Sequence, residues 1–126
     1  MVVFIGDLDL ESYRRFFPDI RSSEVVMTHE RIHHIVSGHP EIAENDFLYL
    51  RQLIESPDYV FADSSPNTVR LMKAFSDAGK WYRIIVRLSI VGDDEGHKNS
   101  VLTFYSISQK RYDRYVRNEK LLFSNI

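Results

Sequence analysis

A chain of 126 residues with 44% apolar and 13% aromatic side chains can build one hydrophobic core but not two ordinary ones, so a single globular domain over residues 1–126 is expected. The net charge of −2 and pI near 6.2 exclude a chain that grips nucleic acid by its overall charge and leave only a local basic patch for that purpose. With no cysteine, disulfide frameworks and thiol chemistry are excluded as well.

The start, Met1 to Asp7, is apolar over too few residues and lacks a basic leader. Neither a signal peptide nor a membrane span is expected there, and a cytoplasmic protein without a membrane partner is the reading. After this loosely patterned opening, Val25-Val26-Met27 predicts a short extended segment. Thr28 then suits the N-cap of a helix over about 29–37, with Ile32, Ile35 and Val36 as its core-facing stripe, Gly38 as a left-handed terminator and Pro40 as a stop. A second helix is predicted over about 42–56, where Phe47, Leu50 and Ile54 share a face and Pro57 follows. Tyr59 to Phe61 and Thr68 to Phe75 read as strands around a Ser64-Ser65-Pro66-Asn67 turn.

The clearest strand is Trp81 to Val91: Tyr82, Ile84, Val86, Leu88 and Ile90 make an apolar face, while Arg83, Ile85, Arg87, Ser89 and Val91 make a mixed one. A polar loop leads to a strand over 100–108, in which Val101, Thr103, Tyr105 and Ile107 alternate with Leu102, Phe104 and Ser106. An amphipathic segment from Gln109 to Asn118 and the apolar Leu121-Leu122-Phe123 close the chain. Helices followed by strands predict an α+β fold, with N-terminal helices packed on an antiparallel meander of about four strands.

Four of the five histidines lie between Thr28 and Glu41, and His29-Glu30-Arg31-Ile32-His33 spells the zinc-peptidase pattern H-E-x-x-H. His39 even stands where the longer metzincin pattern has its third ligand. Against a zinc peptidase, Val36 occupies the position where that pattern turns at glycine, and the short stretch before His29 cannot supply the usual flanking sheet. No metal is expected.

Taken one residue later, the same stretch is Glu30-Arg31 followed by His34-Ile35-Val36-Ser37-Gly38-His39-Pro40-Glu41. With Pro57-Asp58-Tyr59, Pro66-Asn67-Thr68, Lys98-Asn99-Ser100-Val101-Leu102-Thr103-Phe104-Tyr105 and Arg111-Tyr112-Asp113-Arg114-Tyr115-Val116-Arg117-Asn118-Glu119-Lys120, it resembles a phage-associated nuclease family with the barnase, EndoU, colicin and RelE-like fold, abbreviated PBECR. The resemblance covers about residues 25–123 and leaves 1–24 outside. Gly38 stands where many relatives are basic, and Glu119 where the ending usually has lysine. The resemblance implies a metal-independent, ribonuclease-like domain, hence RNA as partner and no cofactor. An immunity or antitoxin protein is the other partner considered.

Metal-free RNA cleavage uses the substrate 2′-hydroxyl as nucleophile and asks the protein for a base, an acid and a cation. His34 and His39 are the titratable candidates, and Arg87 the candidate phosphate clamp. Thr103 completes the expected catalytic set on the strength of the resemblance. Lys98, Ser100, Tyr105, Lys110, Arg111 and Arg114 are the expected RNA contacts, by charge, hydroxyl or stacking. The rival readings are a non-catalytic RNA- or protein-binding module of the same fold and, remotely, the zinc peptidase.

Overall fold

The computed structural model describes every residue from Met1 to Ile126. In chain order the elements are β1 (Val2–Asp7), α1 (Leu10–Arg14), β2 (Glu24–Thr28), α2 (His29–Gly38), a 3-10 helix (Glu44–Tyr49), α3 (Leu50–Glu55), β3 (Tyr59–Ala62), β4 (Thr68–Phe75), β5 (Lys80–Arg87), β6 (Asn99–Ile107), α4 (Gln109–Asn118) and β7 (Leu121–Ser124). A further short 3-10 turn, Ser76–Ala78, sits in the hairpin between β4 and β5, where Gly79 takes a left-handed φ of 62°. All strands join one seven-stranded sheet in the order β1-β2-β6-β5-β4-β3-β7. Every pairing is antiparallel except β2 with β6.

The α+β expectation holds, but the sheet is larger than about four strands: β3 to β6 pair consecutively within it, and β1, β2 and β7 extend it to seven. The opening conceals β1 because an edge strand exposes Val2 and Phe4 and so shows no clean alternation. The helix expected over 42–56 is two pieces, a 3-10 turn and then α3. Asp46 lies in the first turn of the 3-10 helix, where its carboxylate accepts from the Ala43 N–H at 2.6 Å and from the buried Tyr82 hydroxyl.

Further local corrections follow from burial. Gly38 is the last helical residue rather than a left-handed one, and Val36 is 42% exposed, so Ile35 alone of the stripe is fully inside. The strand expected to reach Val91 stops at Arg87, because Leu88 donates its N–H to Asn67 and the chain leaves the ladder.

The sheet has two unlike faces. One carries a cluster of 19 buried residues, including Val60, Leu71, Tyr82, Ile84, Val86 and Phe104, covered by α1, α2 and α3. Each such side chain contributes about 1.5–3 kcal/mol by leaving water. The other face has a buried cluster of only four residues, Phe61, Met72, Ile107 and Tyr112, where α4 lies across the sheet. Ser108 caps that helix by accepting from the Arg111 N–H.

Candidate active site

The second face becomes polar beyond α4. Cross-strand register places Arg83 opposite Tyr105, Ile85 opposite Thr103 and Arg87 opposite Ser100. Between the last two pairs the register slips, since Val86 faces Val101 and Leu102 is the extra residue of a bulge. The simple alternation expected for β6 is thereby broken: Val101 and Phe104 both enter the core, while Thr103, Tyr105 and Ile107 remain on the opposite face.

His39, the first residue beyond α2, reaches this face. Its ring stacks on Tyr105 with centroids 5.3 Å apart and planes 15° from parallel, and its Nε2 lies 3.5 Å from the Thr103 hydroxyl. On the far side of the ring, Nδ1 is 3.7 Å from the Glu41 carboxylate, a partner suited to orienting the imidazole. Burial pushes the Tyr105 hydroxyl above its ordinary pKa, against the opposing pull of Arg83, so the phenol keeps its proton and can donate it.

The other expected site residues are placed differently. Arg87 does share the face, but its guanidinium donates to the Leu88 carbonyl and to Asp93 at 3.2 Å. Asp93 is itself held by the Ile90 N–H, and that backbone hydrogen bond, with Arg87 and His97 nearby, keeps its carboxyl below the usual range. Arg21 fixes the same loop by donating to the carbonyls of Asp93, Asp94 and His97. His34 is exposed and has no contact with His39; it lines a separate cavity with Thr28, Glu30 and Arg31. Ser100 donates its hydroxyl to the Lys98 carbonyl at 2.9 Å, and exposed Lys98 lies 4.0 Å from Glu24. Lys110, Arg111 and Arg114 are exposed on α4, with the last two flanking the Tyr115 ring at 5.6 and 5.7 Å.

Sequence reasoning missed a buried cation. Arg83 is 2% exposed, its guanidinium 4.0 Å from the Tyr115 ring centroid and bonded to Glu119 at 2.7 and 2.9 Å. Glu119 also binds Arg70 at 2.8 Å, and Arg70 meets Asp63. The acidic residue that departs from the usual basic ending is thus the counterion for two strand arginines. Several residues of the recurring motifs are structural too: Asp58 accepts from the Ala74 N–H and the Tyr112 hydroxyl, each at 2.8 Å. Asn99 joins β6 to the Ser22 and Glu24 carbonyls at 2.6 and 2.8 Å.

The zinc pattern does not assemble. His29 and His33 line a shallow cavity with Ile32 and Val36, whereas His39 turns to Thr103, and no three histidine or carboxylate side chains group around a common point. No helix is long and apolar enough to cross a membrane.

Comparison with protein families matches residues 4–124 to the phage-Barnase-EndoU-ColicinE5/D-RelE like nuclease2 family. The chain belongs to this family. The match takes in α1 and β1 from Phe4 onward, which the motifs had left outside. No curated protein and no solved structure gave a match.

Proposed function

We propose that this family domain is a metal-independent RNA endonuclease whose chemistry is centred on His39, Thr103 and Tyr105. The observation that carries the reading is the bulge in β6, which turns Thr103 and Tyr105 toward a histidine arriving from α2. Acidic residues elsewhere leave the chain with little net charge, yet α4 presents exposed cations beside this face. In this reading, His39 takes the proton of a substrate 2′-hydroxyl as that oxygen attacks the adjacent phosphorus. Thr103 hydrogen-bonds a phosphoryl oxygen on which charge develops. As the P–O5′ bond breaks, the protonated Tyr105 gives its proton to the leaving 5′-oxygen, so the products are a 2′,3′-cyclic phosphate and a free 5′-hydroxyl, and proton exchange with solvent restores both side chains. Lys110, Arg111 and Arg114 hold the backbone of the bound strand.

One observation favours a second reading, a non-catalytic RNA- or protein-binding module. Arg83 and Arg87, the strand cations nearest the cluster, are already neutralised by Glu119 and Asp93. Incubating mixed cellular RNA with the protein in excess EDTA separates the two. Cleavage leaving cyclic phosphate ends supports the nuclease; RNA binding without cleavage by well-folded protein supports the module. EDTA-sensitive cleavage leaving 5′-phosphate ends would refute the proposed chemistry.

A further inference from the structure

β2 and β6 run parallel only from Val25 and Asn99 to Val26 and Ser100. Beyond Val26, β2 stays paired only with β1 and passes into α2 at His29, while β6 continues along β5, and a crevice lies between them. Crevices where parallel strands part at their carboxyl ends are recurrent ligand sites in sheets, because backbone and side chains converge there without filling the gap. Two cavities occupy this one. The first, of about 370 Å³, is bordered by Thr28, Glu30, Arg31 and His34, all of them polar residues. The second, of about 200 Å³, has Val26, Met27, Val101 and Leu102 along its walls and Ser100 beside them. Thr28 and Arg31 belong to both cavities, so a polar chamber adjoins a largely apolar one.

Arg31 sets this crevice apart from the rest of the sheet. Arg70, Arg83 and Arg87 each have a carboxylate partner, and Arg21 is bonded to three carbonyls. Arg31 is half-buried between the two cavities, and its only hydrogen bond to a side chain is made by its backbone N–H to Thr28. Its guanidinium has no ion pair. A partly desolvated, unpaired guanidinium favours a dianionic or monoanionic oxygen ligand that fits its fork, and phosphate is the common case.

Resting on the RNA reading above, we infer that the crevice is a nucleotide subsite: Arg31 binds one backbone phosphate, His34 flanks it, and the adjoining base lies against Leu102 and the edge of Val26. The subsite gives His34 a role in holding substrate, away from the reacting cluster at His39. The bulge that turns Thr103 toward His39 also brings Leu102 to the crevice, so one backbone irregularity serves both places.

The test uses the full chain, isotope-labelled, with a short 2′-O-methyl RNA of mixed sequence as probe, since it lacks the nucleophile and cannot be cleaved. The expected result is that the probe shifts the Arg31 side-chain N–H and the methyl groups of Val26 and Leu102. Arg31→Ala should weaken binding about tenfold or more and lower the salt slope by roughly one phosphate contact, with the melting temperature little changed, and Arg31→Lys should restore part of the loss. Leu102→Ala should weaken the probe but not an abasic ribose-phosphate oligomer of equal length. Binding that shifts only α4 resonances, or that is indifferent to Arg31→Ala, overturns the subsite while leaving the RNA reading intact. If no RNA binds at all, the RNA reading falls and the subsite falls with it.

Discussion

The two faces of the sheet are built from the same strands and obey different rules. On the face covered by α1, α2 and α3, Tyr82, Ile84, Val86 and Phe104 are fully buried and no arginine intrudes among them. On the other, Arg70, Arg83 and Arg87 remain, two of them sharing Glu119 and the third held by Asp93. The difference teaches that a charged strand residue is not by itself a ligand contact: the strand cations are spent on holding α4 and the loop after β5. Among the cations without carboxylate partners are Arg31 in α2 and Lys110, Arg111 and Arg114 in α4, on helices at either side.

The comparison breaks if the faces cannot be perturbed separately. Phe104→Ala should cost about 3–5 kcal/mol of folding stability, as expected for truncating a fully buried aromatic, and urea unfolding measures it. His39→Ala, in which a 36% exposed ring is lost, should leave stability within roughly 1 kcal/mol while lowering RNA cleavage about 10²–10⁴-fold. Equal destabilisation by both variants would mean that the His39 cluster is part of the core rather than a site.

Glu119 offers the next largest effect. Removing it by Glu119→Ala would leave Arg83 buried without its counterion, where the Nε and Nη1 groups already lack partners, and should cost about 3–5 kcal/mol. A double variant, Glu119→Ala with Arg83→Met, should recover much of that loss, because the unpaired charge goes too. Failure of the second change to rescue would place the function of Glu119 outside the ion pair.

The alternation in β5 made one face legible from sequence because burial on a single side imposes a period of two, and Tyr82 to Val86 follow it. β6 obeys the same rule only until the bulge, which no local residue announces: Leu102, an ordinary strand residue, simply has no partner in β5. Thr103 and His39 were identified through their motifs, yet their pairing depends on that bulge and on where α2 ends. His34 and Arg87 were expected beside them, one as a titratable imidazole and the other as a strand guanidinium. What separated them was tertiary: an exposed helix face turned toward another crevice in one case, and Asp93, six residues along the chain, in the other. The alternation puts Arg83 on the mixed face but cannot show its burial, because the ring that covers it, Tyr115, comes from a helix far along the chain.

Acid should loosen the second face before the first. Burial disfavours the Asp63 carboxylate, but the Ser65 backbone N–H and the Arg70 guanidinium outweigh it and hold its carboxyl below the ordinary range. A carboxyl depressed in the folded state contributes stability that is complete above the unfolded value of about 4 and is lost as pH falls through the lower, folded value. The melting temperature should therefore decline more steeply below about pH 4 in the parent than in Asp63→Asn, starting from a higher value near neutrality. Parallel curves would remove Asp63 from the acid response.

The smallest effect sharpens the comparison most directly, because it adds a free cation where the chain lacks one. Gly38 is the last residue of α2, four residues beyond His34 and seven beyond Arg31, and thus on their side of the helix. A Cβ placed there meets nothing within 4 Å, and the backbone is not in a conformation reserved for glycine. Gly38→Arg should therefore fold normally and gain roughly 0.5–1 kcal/mol, since glycine is a poor helix residue and a cation suits a helix C-terminus. If the α2 side of the sheet carries an RNA strand, the same variant should bind RNA a few-fold more tightly at low salt, with a salt slope steeper by about 0.7, the increment for one further contact to a single strand. Gly38→Ala provides the control, matching the stability gain without the affinity gain. Equal affinity for the two variants would confine RNA to the α4 side, and the neutral residue at this position would then carry no consequence for binding.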